Sequence, residues 1–94
     1  MALLDEVKTA LRVSSTRFDT LEIEPLIEAC KVDLRLSGVN VIEDDDPLIG
    51  RAVVLYCKAN FGYIEDAERW GKAYEALKNS LALSSDYNTA EDTT

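Results

Sequence analysis

Asp46-Pro47-Leu48-Ile49-Gly50-Arg51-Ala52-Val53-Val54-Leu55-Tyr56-Cys57-Lys58-Ala59-Asn60-Phe61 decides the fold. An aspartate accepts hydrogen bonds from the free amides of a first helical turn, and a proline directly after it presets the helical φ without losing a needed donor. The pair marks a helix start. From Leu48 to Phe61 apolar side chains then run nearly all round, interrupted by Arg51 and Lys58. A helix apolar on every side belongs at the centre of a bundle. Asn60 and Gly62 are expected to close it, because both tolerate the left-handed conformation in which helices end.

On the N-terminal side, Ile23, Leu26, Ile27, Cys30 and Leu34 fall on one stripe, with Glu24, Glu28, Lys31 and Arg35 turned to water. Gly38 is the expected left-handed cap of this second helix. Asp19 or Thr20 would cap its start, but Pro25 is too deep for a helix beginning there, so a boundary or bend is expected near Pro25. Further out, Leu3, Leu4, Val7, Ala10 and Leu11 recur at spacings of three and four, a short amphipathic helix that Ser14-Ser15-Thr16 breaks. On the C-terminal side, Ala67, Trp70, Ala73 or Tyr74, Leu77 and Leu81 form the stripe of a fourth helix, from about Glu65 to Leu83, with Glu65, Glu68, Lys72, Glu75 and Lys78 outside. Gly71 costs it about 1 kcal/mol relative to alanine and is expected to mark a close helix crossing. Val39 to Glu43 alternates weakly and is expected to be extended, though too short to build a sheet.

The expectation is an all-α fold, a small bundle of about four helices. Its core is carried by Leu26, Ile27, Cys30, Leu34, Leu48, Val53, Tyr56, Trp70, Tyr74 and Leu77. Residues 1–83 form the domain. Residues 84–94 are small, polar and acidic, with too little apolar surface to offset their ordering entropy, and are expected to be a flexible tail. Tyr87 stands alone there, either as a docking anchor or as a stray exposed tyrosine.

Composition narrows the chemistry. Ninety-four residues make one domain, and 47% hydrophobic with 30% charged residues is a globular composition. Eighteen acidic and 10 basic residues leave a net charge of −8, which repels phosphates, so direct binding to duplex DNA or anionic membrane is not expected. Histidine is absent, which removes the side chain that titrates nearest neutrality and the commonest metal ligand. Cys30 and Cys57 sit on apolar stretches and read as buried thiols in a reducing compartment. The N-terminus has no basic region and meets Asp5 and Glu6 at once, unlike a secretory signal, and no apolar run approaches the roughly 20 residues of a membrane span.

Glu43-Asp44-Asp45-Asp46 is the one dense acidic cluster, but it lacks the glycine and glutamate spacing of a calcium loop and reads as a solvated helix entry. Phosphate cradles, Ser-His-Asp sets and CxxC pairs are missing. The chain reads as a non-enzyme without a cofactor or metal. Phe61, Tyr63, Trp70 and Tyr74 gather near the junction of the third and fourth helices and read as core before partner surface.

Four stretches carry a resemblance: Leu4-Asp5-Glu6-Val7-Lys8 with Leu11-Arg12-Val13; Leu26-Ile27-Glu28-Ala29; Tyr56-Cys57-Lys58-Ala59-Asn60-Phe61-Gly62-Tyr63; and Tyr74-Glu75-Ala76-Leu77-Lys78-Asn79-Ser80-Leu81. Together they resemble the head-tail connector, or head-completion adaptor, proteins of tailed bacteriophages and prophages, sometimes labelled DNA-packaging proteins. The resemblance spans nearly the whole chain, with Pro25 and Cys57 as departures.

It implies a structural virion protein at the head-tail junction, assembled in the host bacterial cytoplasm. Many copies would form a ring under the portal protein, about twelve by analogy with portal symmetry. The ring would extend the channel, through which DNA passes without specific binding, and dock the next head-completion, stopper or tail protein. Contacts are expected from Glu43, Asp44, Asp45 and Asp46 in the loop and Ser84, Ser85, Asp86 and Tyr87 in the tail. The alternative is a small acidic DNA mimic that inhibits a host DNA-binding protein. That reading needs acids lined along one face, whereas Lys8, Arg12, Lys31, Arg35, Lys58, Arg69, Lys72 and Lys78 are interspersed through the helices. An enzyme built on the acidic loop is a third reading.

Overall fold

The computed structural model describes residues 3–13, 22–61 and 66–89. Among them are five helices and no strand: α1 (Leu3–Leu11), α2 (Glu24–Leu36), α3 (Pro47–Asn60), α4 (Ala67–Leu83) and the single turn α5 (Ser85–Asn88). The fold is all-α. Helix α3 is the hub, packed against α1, α2 and α4, as its all-round apolar sequence requires.

Each helix end has a local cause. Asp46 is the N-cap of α3, and its Oδ1 accepts from the Leu48 and Ile49 amides at 2.8 and 3.3 Å, with Pro47 in the first turn. Pro25 lies in the first turn of α2, where its missing N–H falls among donors that have no acceptor within the helix. A wider helical turn at Glu22 and Ile23 leads into it. Gly38, at φ 106°, ends α2: its amide donates to Arg35 O at 3.1 Å and the Val39 amide to Leu34 O at 2.9 Å. The pair seats fully buried Val39 beside fully buried Leu34. Helix α1 ends the same way, with Arg12 at φ 61° and the Val13 amide donating to Lys8 O at 2.9 Å. Asn60 does not take the expected left-handed conformation; it closes α3 by donating its side-chain amide to Tyr56 O at 2.8 Å. Asp19, Thr20, Ser14, Ser15, Thr16, Gly62, Tyr63 and Glu65 lie outside the described residues.

The core takes Ile27, Cys30, Leu34, Val53 and Tyr74 as expected, and Leu26, Tyr56, Trp70 and Leu77 pack against it half-buried. Leu48 departs from the expectation: at the first turn of α3 it faces outward, 45% exposed, and Ile49 beside it is fully buried instead. Trp70 keeps two cations at its ring, Lys58 Nζ at 4.2 Å and Arg69 Cζ at 5.0 Å from the centroid. Cys30 and Cys57 are free, buried thiols, both pushed up to about 12 by burial and so held as unreactive S–H groups.

A polar link joins α2 to α4. The Tyr74 hydroxyl donates to Asp33 Oδ2 at 2.6 Å and Lys78 Nζ approaches the same oxygen at 3.0 Å, with Glu75 Oε2 at 3.1 Å from Lys78. Lys78 is 8% exposed, the one charged residue among the buried described residues, so these carboxylates are what make its burial tolerable. Desolvation raises the Asp33 carboxyl, but the hydrogen bonds from Tyr74 and Lys78 and the charge of Lys78 outweigh it and hold the group below its ordinary value of 3.8.

Gly71 does meet α3, though less closely than the sequence suggests. A Cβ there would lie 3.8 Å from the Ala59 Cβ, an ordinary contact. Gly71→Ala is therefore expected to stabilise the protein by about 1 kcal/mol through helix propensity, read as a rise in Tm of about 4–8 °C. Asp33→Asn is expected to cost about 1–3 kcal/mol at neutral pH, at the low end because Asp33 is partly solvated. Since the native carboxyl titrates below the unfolded one, its contribution is present above the ordinary value and is lost as pH falls through the native one. Chemical denaturation at several pH values should show the gap between parent and Asp33→Asn shrinking below pH 3.8.

Candidate docking surface

The acidic loop leads from α2 into α3. The Asp46 amide donates to Glu43 O at 3.1 Å, closing a turn that leaves Glu43, Asp44 and Asp45 exposed. Asp44 Oδ1 lies 2.7 Å from Lys31 Nζ, a surface ion pair that fixes the loop to α2. Asp46 is spent on the α3 cap. Among the described residues no group of three or more Asp, Glu or Cys is placed to hold a metal ion.

Residues 84–89 fold back onto this loop. Ser84 is extended and caps α5, its Oγ accepting from the Asp86 amide at 3.2 Å, while Ser85 and Asp86 face solvent. The Tyr87 hydroxyl donates to the Asp46 carboxylate, 2.9 Å from Oδ2 and 3.1 Å from Oδ1. Tyr87 O accepts from the Asn40 and Val41 amides at 2.7 and 3.1 Å. Asn40 Nδ2 donates to Asn88 O at 3.3 Å, and Asn88 Nδ2 to Ala82 O at 2.8 Å. Desolvation and then the Asp46 hydrogen bond push the Tyr87 hydroxyl above its ordinary value, so it stays a donor.

The two stretches picked out as contact regions thus touch each other. Tyr87, which the sequence gives no intramolecular reason to be in a polar tail, has one in Asp46. Asn40, Val41 and Asn88 complete the arrangement and were missed, because a backbone pairing across more than forty positions leaves no periodic trace. The segment 39–43 is irregular rather than a strand, and its free amides are used by Tyr87 O. Residues 90–94 of the expected tail lie outside the described residues.

Beside this corner the ends of α2 and α4 lie side by side, a Cβ at Gly38 falling 3.9 Å from Ala82 Cβ. Each helix ends on an uncovered leucine: Leu36 is 81% and Leu83 85% exposed. The corner therefore offers apolar side chains, carboxylates and a hydrogen-bonded strap within one end of the bundle. It has the makings of a surface for a macromolecular partner.

A family model for phage connector proteins matches residues 3–88. The chain belongs to the phage connector protein family. No curated protein and no solved structure matches it. Connectors are structural parts of the phage particle and work by contact with other head and tail proteins. No helix among the connector's described residues is long and apolar enough to cross a membrane.

Removing the connector's Asp46 carboxylate deprives α3 of its cap and Tyr87 of its acceptor. Asp46→Ala is expected to cost about 1–3 kcal/mol, and Tyr87→Phe about 0.5–1.5 kcal/mol. The double variant should cost less than the sum of the singles by about 0.5–1 kcal/mol, measured by urea denaturation; strict additivity would mean that the bond does not contribute.

Proposed function

We propose that this connector assembles as a closed ring under the portal protein, extends the DNA channel, and presents its outer end to the next head-completion, stopper or tail protein. It acts without catalysis and without a cofactor. The family match over residues 3–88 carries the reading. The corner made by the 40–46 loop and α5 supports it by offering carboxylates beside Leu36 and Leu83, the two most exposed large apolar side chains among the described residues. A ring needs a heterologous contact, one face of a copy matching a different face of the next.

The charge suits this place. At −8 the protein repels duplex DNA, so a polymer passing through such a ring is not held during ejection. The DNA-mimic reading gains nothing from the side-chain geometry. Lys31 is paired with Asp44, Lys72 with Glu68, and Lys78 with Asp33 and Glu75, so bases interleave with acids in place of a continuous acidic face. Docking is assigned to Glu43, Asp44, Asp45 and Asp46 and to Ser84, Ser85, Asp86 and Tyr87. Residues 84–94 are the tail segment that docks against the portal or a neighbouring copy.

The test is co-sedimentation of the purified protein with DNA-filled, tail-less capsids of the same phage, with copies counted per particle. Saturation at one ring's worth, about twelve copies, is expected, and deletion of 84–94 should abolish it. Folded protein that leaves competent capsids bare would overturn the connector role and bring the DNA mimic forward.

A further inference from the structure

We infer that α5 is an exchangeable strap: in the assembled ring, Ser85–Asn88 of one copy leaves its own 40–46 loop and takes the same seat on the neighbouring copy. The inference rests on the ring reading above and names the contact that closes the ring.

The strap hangs from α4 by one extended residue, Ser84, at φ −88° and ψ 129°. The bonds that seat it are made by Tyr87 and Asn88 to Asn40, Val41 and Asp46, far away in sequence. Nothing in their geometry depends on which chain supplies the strap. A neighbour's Tyr87 hydroxyl would meet the same Asp46 carboxylate, and its carbonyl the same Asn40 and Val41 amides. Turning at Ser84 gives up the bond from Asn88 Nδ2 to Ala82 O, while the turn inside α5 is kept, since the Tyr87 and Asn88 amides both donate to Ser84 O. An exchange that reproduces the seat it vacates is a low-cost route from monomer to oligomer.

A second observation at this end supports the exchange. Leu83, immediately before the hinge, is 85% exposed, and Leu36, at the end of the adjacent helix, is 81% exposed. The folded strap covers neither. A second copy brought in by exchange would lie against the hinge, where these two leucines are the apolar surface for it to cover. In the free protein the strap occupies its own loop, so the Asn40 and Val41 amides are not left as an open edge that pairs with any passing chain. On the portal the high local concentration of neighbours removes the dilution that favours self-closure in solution.

Asn40 and Asn88 are both exposed, so cysteines there give up their two side-chain bonds but keep the core and the Tyr87 bonds to Asp46 and to the 40 and 41 amides, and the native Cys30 and Cys57 are buried. The double variant Asn40→Cys/Asn88→Cys is treated with a short bismaleimide, free and after binding to DNA-filled capsids. Free protein should give an internally linked monomer. Bound protein should lose that product and give a ladder of covalent multimers. A mixture of the two single variants should give dimers on capsids and none in solution, which keeps the test valid if the double variant folds poorly. Bound copies that still link internally would overturn the exchange while leaving the connector role standing. Failure of the unlinked parent to bind capsids would overturn both.

Discussion

The carboxylate of Asp46 is the point on which the rest of the structure depends. It takes two amides of the first turn of α3 and the hydroxyl of Tyr87. The first pair starts the helix around which α1, α2 and α4 are arranged. The third donor fixes the C-terminal strap to that same start. One side chain thus couples the nucleation of the central helix, which local sequence specifies, to a long-range contact that local sequence does not. The cap is held through Oδ1 and the strap chiefly through Oδ2, so one carboxylate serves both contacts.

Much of the fold was legible because its signals are local. Asp46-Pro47 declares a helix start in two residues, Gly38 declares an end in one, and the three-four spacing of Leu3, Val7 and Leu11 puts them on the buried face of α1. A helix apolar all round does not say which of Leu48 and Ile49 faces inward; the tertiary packing of α3 buries Ile49 and leaves Leu48 exposed. Asn60 ends α3 through its amide instead of its backbone, a choice between two mechanisms that the residue type alone leaves open. The link from Asp33 through Tyr74 to Lys78 was invisible, since Lys78 reads as an outward charge until the carboxylates that satisfy it are placed.

The candidate docking corner was half legible. Composition marks the acidic loop and the small polar tail as unlike the core, and a tyrosine in such a tail invites a partner. That the first partner is Asp46 of the same chain follows only when the ends of α2 and α4 are brought together. The stripes of the second and fourth helices include neither Leu36 nor Leu83, and their common exposure is a fact of tertiary geometry. In the free protein the polar strap is satisfied internally, while Leu36 and Leu83 beside the hinge stay uncovered.

A cryo-electron microscopy reconstruction of the head-tail junction, with this domain fitted into the density, tests the central claim most directly. The account predicts a ring between portal and tail in which the 40–46 loop and Leu36 and Leu83 lie at the boundary between adjacent copies. A ring with that corner facing open solvent, or a junction that lacks the domain, would contradict it.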